Sequence, residues 1–362
     1  PGMSVRPTGR DSGPVREQPM LLKALSAGSA LTVVDVTSTE SRELLGPVIA
    51  PAAGAGAAGA RERLGRIDAL RGWACFGIVL FHTCGDHWCA KVGLAGLMVF
   101  LLLVPALGWS GAQSRGWGEQ VRRRAGRLLM PWLFWSAVYL LNYLLPRLHA
   151  GAGVTPHDLG LSASSLLVGG TIHLWFLPFA FLGGVALLPL GGPVWRLRPA
   201  VAIGGLLAAA GALLAGACVV RSMPGFGGLV APWPQWIDAL PSLPLGIALA
   251  VAAGRGRFLA MVCAGALAGC ALAAVIDPRG PALEYALAVP LVAWAMLRPV
   301  AAGPIARVLA PLSLGVYLVH PLVLMVLNRV LAGPAWVRAV VVFAVACGVV
   351  AVLRKTPIRR FV

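Results

Sequence analysis

Charge is what this chain has least of. Only 12% of its residues are charged, against 58% apolar, and the mean hydropathy is +0.82. That balance excludes an ordinary soluble domain, whose charged fraction is about twice as high. Acidic residues are scarcer still, 13 against 30 Lys and Arg, for a net charge of +17. Such an excess could suit nucleic acid, but the basic residues form no single patch. They do not interleave with aromatics as a nucleic-acid groove requires, so no nucleic-acid partner is expected. A Gly-rich phosphate loop of the Walker type is also missing, so a P-loop ATPase is not supported.

What is there is a series of apolar runs of about 17–20 residues, separated by short basic clusters, as in a polytopic membrane protein. The pattern predicts ten helices, over 68–87, 91–110, 128–146, 171–190, 200–220, 237–253, 258–276, 282–298, 308–328 and 335–353. The fold class is therefore an all-α membrane protein, a bundle of about ten transmembrane helices. Most basic residues alternate onto one side of it: Arg61, Arg63 and Arg66; Arg115, Arg122, Arg123, Arg124 and Arg127; Arg196 and Arg198; Arg255 and Arg257; Arg298 and Arg307; Arg354 to Arg360. The opposite loops hold only Lys91, Arg147, Arg221, Arg279, Arg329 and Arg338. The positive-inside rule then predicts a multi-pass protein of the plasma membrane with both termini cytoplasmic. Residues 1–63 are rich in Gly, Ala, Pro and Ser and read as a disordered cytoplasmic arm. No basic region directly precedes a long apolar core there, so a secretory signal peptide is not expected.

Against this apolar background a few polar residues stand out. Arg71 and His82 are eleven positions apart in one apolar run. On a helix that brings both to one face, within about 20° of each other and about 16 Å apart along the axis. Ionisable groups in a membrane helix normally face a bundle interior and mark a pathway or reaction centre, although a snorkelling Arg and a core His would also fit. Arg124 and Arg127 belong to Val121-Arg-Arg-Arg-Ala-Gly-Arg-Leu-Leu-Met-Pro131 at the cytoplasmic mouth of the third span. Four arginines so close repel one another unless an anion offsets them, and guanidinium forks match phosphates. A plain positive-inside anchor is the simpler alternative. Ser313, Tyr317 and His320 form one helical stripe ending at Pro321, where they could equally satisfy one another between helices. His173 and Trp175 fall at the outer mouth of the fourth span, where an indole can also serve as an interfacial anchor.

The chain has seven cysteines. Cys84 and Cys89 lie at the outer end of the first span, where a disulfide can form. The run His82-Thr-Cys84-Gly-Asp86-His87-Trp-Cys89 has metal-ligand residue types, but a second ligand pair at zinc-like spacing is missing, and no metal is expected.

Together these pieces resemble the acyltransferase-3 family of integral membrane O-acyltransferases. The matching residues are Arg66-Ile-Asp68-Ala-Leu-Arg71-Gly with Leu80-Phe-His82, Arg124-x-x-Arg127 with Pro131, His173-Leu-Trp-Phe-Leu177, and Ser313-Leu-Gly-Val-Tyr317-Leu-Val-His320-Pro321. The resemblance covers about residues 64–355 in the family's order. It implies transfer of an acyl group, usually acetyl, from cytoplasmic acyl-CoA to a hydroxyl of a carbohydrate, a cell-envelope glycan or a secondary metabolite. It further implies that His82 and Arg71 are the essential first-span pair, and that Arg124 and Arg127 serve the coenzyme. Tyr317 or Ser313 would then donate to the thioester oxyanion, with His173, Trp175 and His320 lining the substrate path. Many members carry V-x-F-F-x-x-S-G in the second span, where this chain reads Val99-Phe-Leu-Leu-Leu-Val-Pro105. The competing class is a transporter or flippase without covalent chemistry. That class predicts inverted halves, and the Arg-rich loop and the Ser-Tyr-His stripe have no counterparts half a chain away.

Overall fold

The computed structural model describes residues 65–85, 88–108, 116–151, 163–298 and 300–362. The arm expected over 1–63 lies outside them, as do Asp86 and His87. The described residues are helical, with no strand among them. In chain order the helices are α1 Gly65–Cys84, α2 Trp88–Gly108, α3 Trp117–His149 and α4 Ala163–Val168. A 3-10 turn, Ile172–Trp175, runs into α5 Phe176–Ala186 and a further turn, Leu188–Leu190. Then come α6 Gly191–Arg196, α7 Pro199–Ser222, α8 Trp233–Ala239, α9 Ser242–Ala252, α10 Gly256–Ile276 and α11 Ala282–Leu297. The chain closes with α12 Pro304–Leu327, α13 Ala335–Leu353 and a 3-10 turn, Pro357–Phe361.

Ten of these segments correspond to the expected spans. Eight are long and apolar enough to cross a membrane on length and composition: α2, α3, Ile172–Leu190, α7, Trp233–Ala252, α10, α12 and α13. The other two depart for visible reasons: α1 carries Arg66, Asp68 and Arg71 in its first turns, and α11 has 16 residues. Boundaries shift where apolar content and helix propensity part company. α3 begins at Trp117, well before its apolar stretch, because Glu, Gln and Arg are good helix formers and Glu119 pairs with Arg123 at 3.0 Å one turn on. The sixth span breaks between α8 and α9 at Pro241, which has no N–H to donate into a continuous helix.

α1 sits at the centre, packed against α2, α11, α12 and α13. α2 extends the core to α5, α9 and α11, while α7 and α10 pack together on its far side, α7 against α9 and α10 against α11. Close approach of α1 and α2 depends on small residues. A Cβ on Gly77 would stand 2.9 Å from the Gly93 carbonyl, and one on Gly96 would overlap the Ala74 backbone. In lipid, where apolar side chains gain nothing by leaving water, such backbone contact is a main source of helix association. The two helices are also joined at one end by the Cys84–Cys89 disulfide, with Cα atoms 6.3 Å apart. α3 lies at the side, against α5 and the terminal turn. There Trp135 Nε1 donates to Phe361 O at 2.7 Å and Phe134 stacks on the Phe361 ring.

Candidate active site

α1 and α12 run side by side in the same direction, so the Arg71–His82 face of one meets the Ser313–Tyr317–His320 stripe of the other. At the lower level Arg71 Nη2 donates to Ser313 Oγ at 3.2 Å, and Nη1 lies 3.8 Å from Asp68 Oδ1. The Ser313 hydroxyl donates to Ala310 O at 2.8 Å, and Cys75 Sγ donates to Ser313 O at 3.3 Å. The guanidinium is thus held by a neutral hydroxyl and a loosely placed carboxylate, which leaves donors on its fork for another acceptor.

About 10 Å farther along α12, two turns on, lies a second level. Here His82, His173 and His320 come together, with ring centres 5.0 Å apart for His82 and His320 and 5.7 Å for His173 and His320. His320 is wholly buried and His173 nearly so, while His82 is half-buried. The Nδ1 of His320 faces the carbonyls of Tyr317 at 2.8 Å and Val316 at 3.2 Å. A carbonyl can only accept, so Nδ1 carries the proton and Nε2 presents a lone pair. That Nε2 and the Nε2 of His173 are buried with no hydrogen-bond partner among the described residues. Buried polar atoms are normally paired, and a cluster left unpaired marks a place where a ligand's polar groups are accommodated.

The placement of His173 depends on two glycines. Gly169 has φ +80°, and a Cβ on it would strike Ser136 and Trp132 of α3. With Gly170 likewise against the Ser136 backbone, the chain enters the bundle flat on α3 and forms the 3-10 turn that carries His173 and Trp175 inward. Tyr317 fastens this turn by donating its hydroxyl to the His173 carbonyl. Trp175 is buried at 6% exposure rather than sitting in an interfacial belt, and packs on Phe176 and Phe179.

The arginine pair of α3 behaves unequally. Arg124 reaches inward, and its Nη2 donates to Gly108 O at the end of α2 at 3.0 Å. Glycine at 108 and at 184 in α5 leaves the space its guanidinium fills. Arg127, one turn on, is exposed, as is Arg122. Both arginines belong to the same end of the bundle, well away from the imidazole cluster.

A family model described as an acyltransferase domain, the acyltransferase-3 model, matches residues 64–355. The chain belongs to the acyltransferase-3 family. Comparison with curated proteins and with solved structures returned no match. This membership makes the protein a multi-pass membrane acyltransferase and decides against a transporter without covalent chemistry. No group of three or more His, Cys, Asp or Glu placed to hold a metal occurs among the described residues of this acyltransferase.

The structure also brings in residues that spacing did not single out. Tyr139 of α3 donates to Leu318 O at 2.7 Å and sets its ring 5.0 Å from His173. Its signal is modest: Trp135 and Tyr139, four apart, are the buried aromatic pair on an otherwise lipid-facing helix. Phe176 packs on the Tyr317 ring at 5.5 Å and closes the other side of the cluster.

Proposed function

We propose that this acyltransferase moves an acyl group, acetyl in the first instance, from cytoplasmic acyl-CoA to a hydroxyl of a carbohydrate, a cell-envelope glycan or a secondary metabolite. It would do so in the plasma membrane, with both termini in the cytoplasm. The observation that carries this reading is the column formed by Arg71 with Ser313 below and the three imidazoles above, running through the centre of the bundle. At the basic end of α3, exposed Arg122 and Arg127 are suited to phosphates of the donor, with Arg124 fixing the approach of α2 and α5. The acyl-pantetheine arm then enters along α1, where the remaining donors of Arg71 guide it so that the thioester comes to rest beside His82.

The neutral His82 imidazole accepts the proton of the acceptor hydroxyl as its oxygen attacks the carbonyl carbon. The C–S bond breaks, and the departing thiolate takes the proton back from His82. His320, with its lone pair at Nε2, faces His82 and can accept from it once His82 is protonated, steadying the charge. Ser313 and Tyr317 already give their hydroxyl protons to carbonyls, so their part in this reading is to hold Arg71 and the His173 turn. Turnover of labelled acetyl-CoA by purified protein in detergent, with a panel of hydroxyl acceptors, tests it. Acceptor-dependent release of CoA with label in an ester supports the reading, and label found in no acceptor overturns it.

A further inference from the structure

The imidazole cluster does not specify what carries the reacting hydroxyl. A second polar group stands where α7, α8 and α10 end and α11 begins. Arg221, in the last turn of α7, places Nη1 2.8 Å from Asp238 Oδ2 and Nε 2.9 Å from Asp277 Oδ2. Glu284, in the first turn of α11, is only 6% exposed and lies within electrostatic range of Asp238, Arg221 and Lys91. Lys91 opens α2 beside the disulfide, so this group shares the end of the bundle that carries His82. Its neighbour Tyr285 donates to Asp238 O at 2.9 Å.

Two carboxylates therefore share the Arg221 guanidinium, and the third, Glu284, stands near them without an ion-pair contact to it. Asp238 Oδ1 and Glu284 Oε2 are left buried with no hydrogen-bond partner among the described residues, and Gln235 Oε1 and Trp236 Nε1 are in the same condition. Three accepting oxygens and one indole N–H call for a ligand with several O–H groups. Aromatic rings continue from here to the cluster. Trp233, 44% exposed, meets Trp236 at 5.9 Å, and Trp236 meets Phe179 at 5.8 Å. Phe179 meets Trp175 at 6.0 Å, Trp175 meets Phe176 at 6.4 Å, and Phe176 meets Tyr317 at 5.5 Å. Rings next to buried polar atoms that lack partners suit a ligand with both apolar C–H faces and hydroxyls.

We propose that Gln235, Trp236, Asp238 and Glu284 form a subsite for a polyhydroxylated, carbohydrate-like acceptor. The subsite holds the unit remote from the reacting hydroxyl, while that hydroxyl reaches His82 along the aromatic run. The proposal rests on the acyl-transfer reading above, and the test separates the two. Purified full-length protein is titrated with methyl glycosides of hexoses, N-acetylhexosamines and 6-deoxyhexoses, followed by tryptophan fluorescence and by melting temperature. At least one glycoside should give a saturable fluorescence change and raise the melting temperature. Its Kd should rise tenfold or more in Asp238→Asn and in Glu284→Gln, which keep the shape of each side chain and an oxygen for Arg221. In His82→Ala the Kd should stay as in the wild type, and near-normal acyl transfer by that variant would sink the catalytic reading while leaving the subsite standing. No response to any glycoside in the wild type, or wild-type Kd in both carboxamide variants, overturns the subsite. A response to Na⁺ or Ca²⁺ in place of every glycoside would make the group a cation site and overturn it as well. Where a variant does not melt as a folded protein, glycoside protection of the wild type alone decides.

Discussion

Single residues in this protein divide into those already satisfied and those held available. Ser313 and Tyr317 spend their protons on carbonyls, whereas His82 adjoins two imidazoles whose Nε2 atoms have no partner among the described residues. His82→Ala should therefore lower kcat by roughly 10²–10⁴-fold, the usual worth of a general base, while expression and membrane insertion stay normal. His82→Gln should not restore it, since an amide hydrogen-bonds but does not titrate in this range. Near-normal turnover in His82→Ala would remove the general-base role. Outside the spans, Asp277 offers a test by pH. Its partial burial pushes the carboxyl up, but the Arg221 guanidinium and the N–H groups of Arg279 and Gly280 outweigh this and hold it below the usual value. A lowered folded-state value means the contribution to stability is present above the unfolded value, about pH 4, and is lost as pH falls through the folded one. Melting curves in detergent should show Asp277→Asn less stable than wild type at pH 7, by about 2 °C, with the gap closing as pH falls below the ordinary carboxylate range. A gap that persists at low pH would assign the loss to packing instead.

Elements explain which parts of this arrangement are legible in the sequence. The alignment of Arg71 with His82 follows from helix periodicity alone, and so does the Ser313–Tyr317–His320 stripe. That the two faces meet depends on α1 and α12 packing side by side, which no local pattern states. His173 is less legible still, because its inward turn is set by Gly169 and Gly170 lying on α3, a contact between distant segments. The α3 arginines show the same limit: their spacing suggests a matched pair, yet Arg124 is tied to Gly108 O and Arg127 is exposed. Their substitutions should diverge accordingly. Arg127→Ala should raise KM for acyl-CoA with little change in KM for the acceptor, and high salt should blunt the difference. Arg124→Ala should also lower the melting temperature, because it leaves the Gly108 carbonyl without its partner and a void beside Gly184. Equal effects of both variants on donor and acceptor KM would instead assign the pair to orienting α3.

Across the whole molecule, the proposed chemistry needs the two ends of the bundle to face different compartments. Acyl-CoA is cytoplasmic, so the Arg122–Arg127 end of α3 must face the cytoplasm, and ten crossings then place the disulfide, the His173 turn and the Arg221 group on the far side. The excess of arginine on the first end agrees with the positive-inside rule, which in turn follows from the difficulty of moving guanidinium groups across lipid. Two exposed positions report on this directly. Gly118 stands at the start of α3 with open space around it, and Met223 follows α7 and is 54% exposed. In a background cleared of the native cysteines, Met223→Cys should react with a membrane-impermeant maleimide added outside intact cells. Gly118→Cys should react only after the membrane is permeabilised. The reverse pattern would put the arginine cluster beyond the reach of cytoplasmic acyl-CoA. Donor entry from the basic end of α3 could not then operate, even with the column of Arg71 and the three imidazoles unchanged.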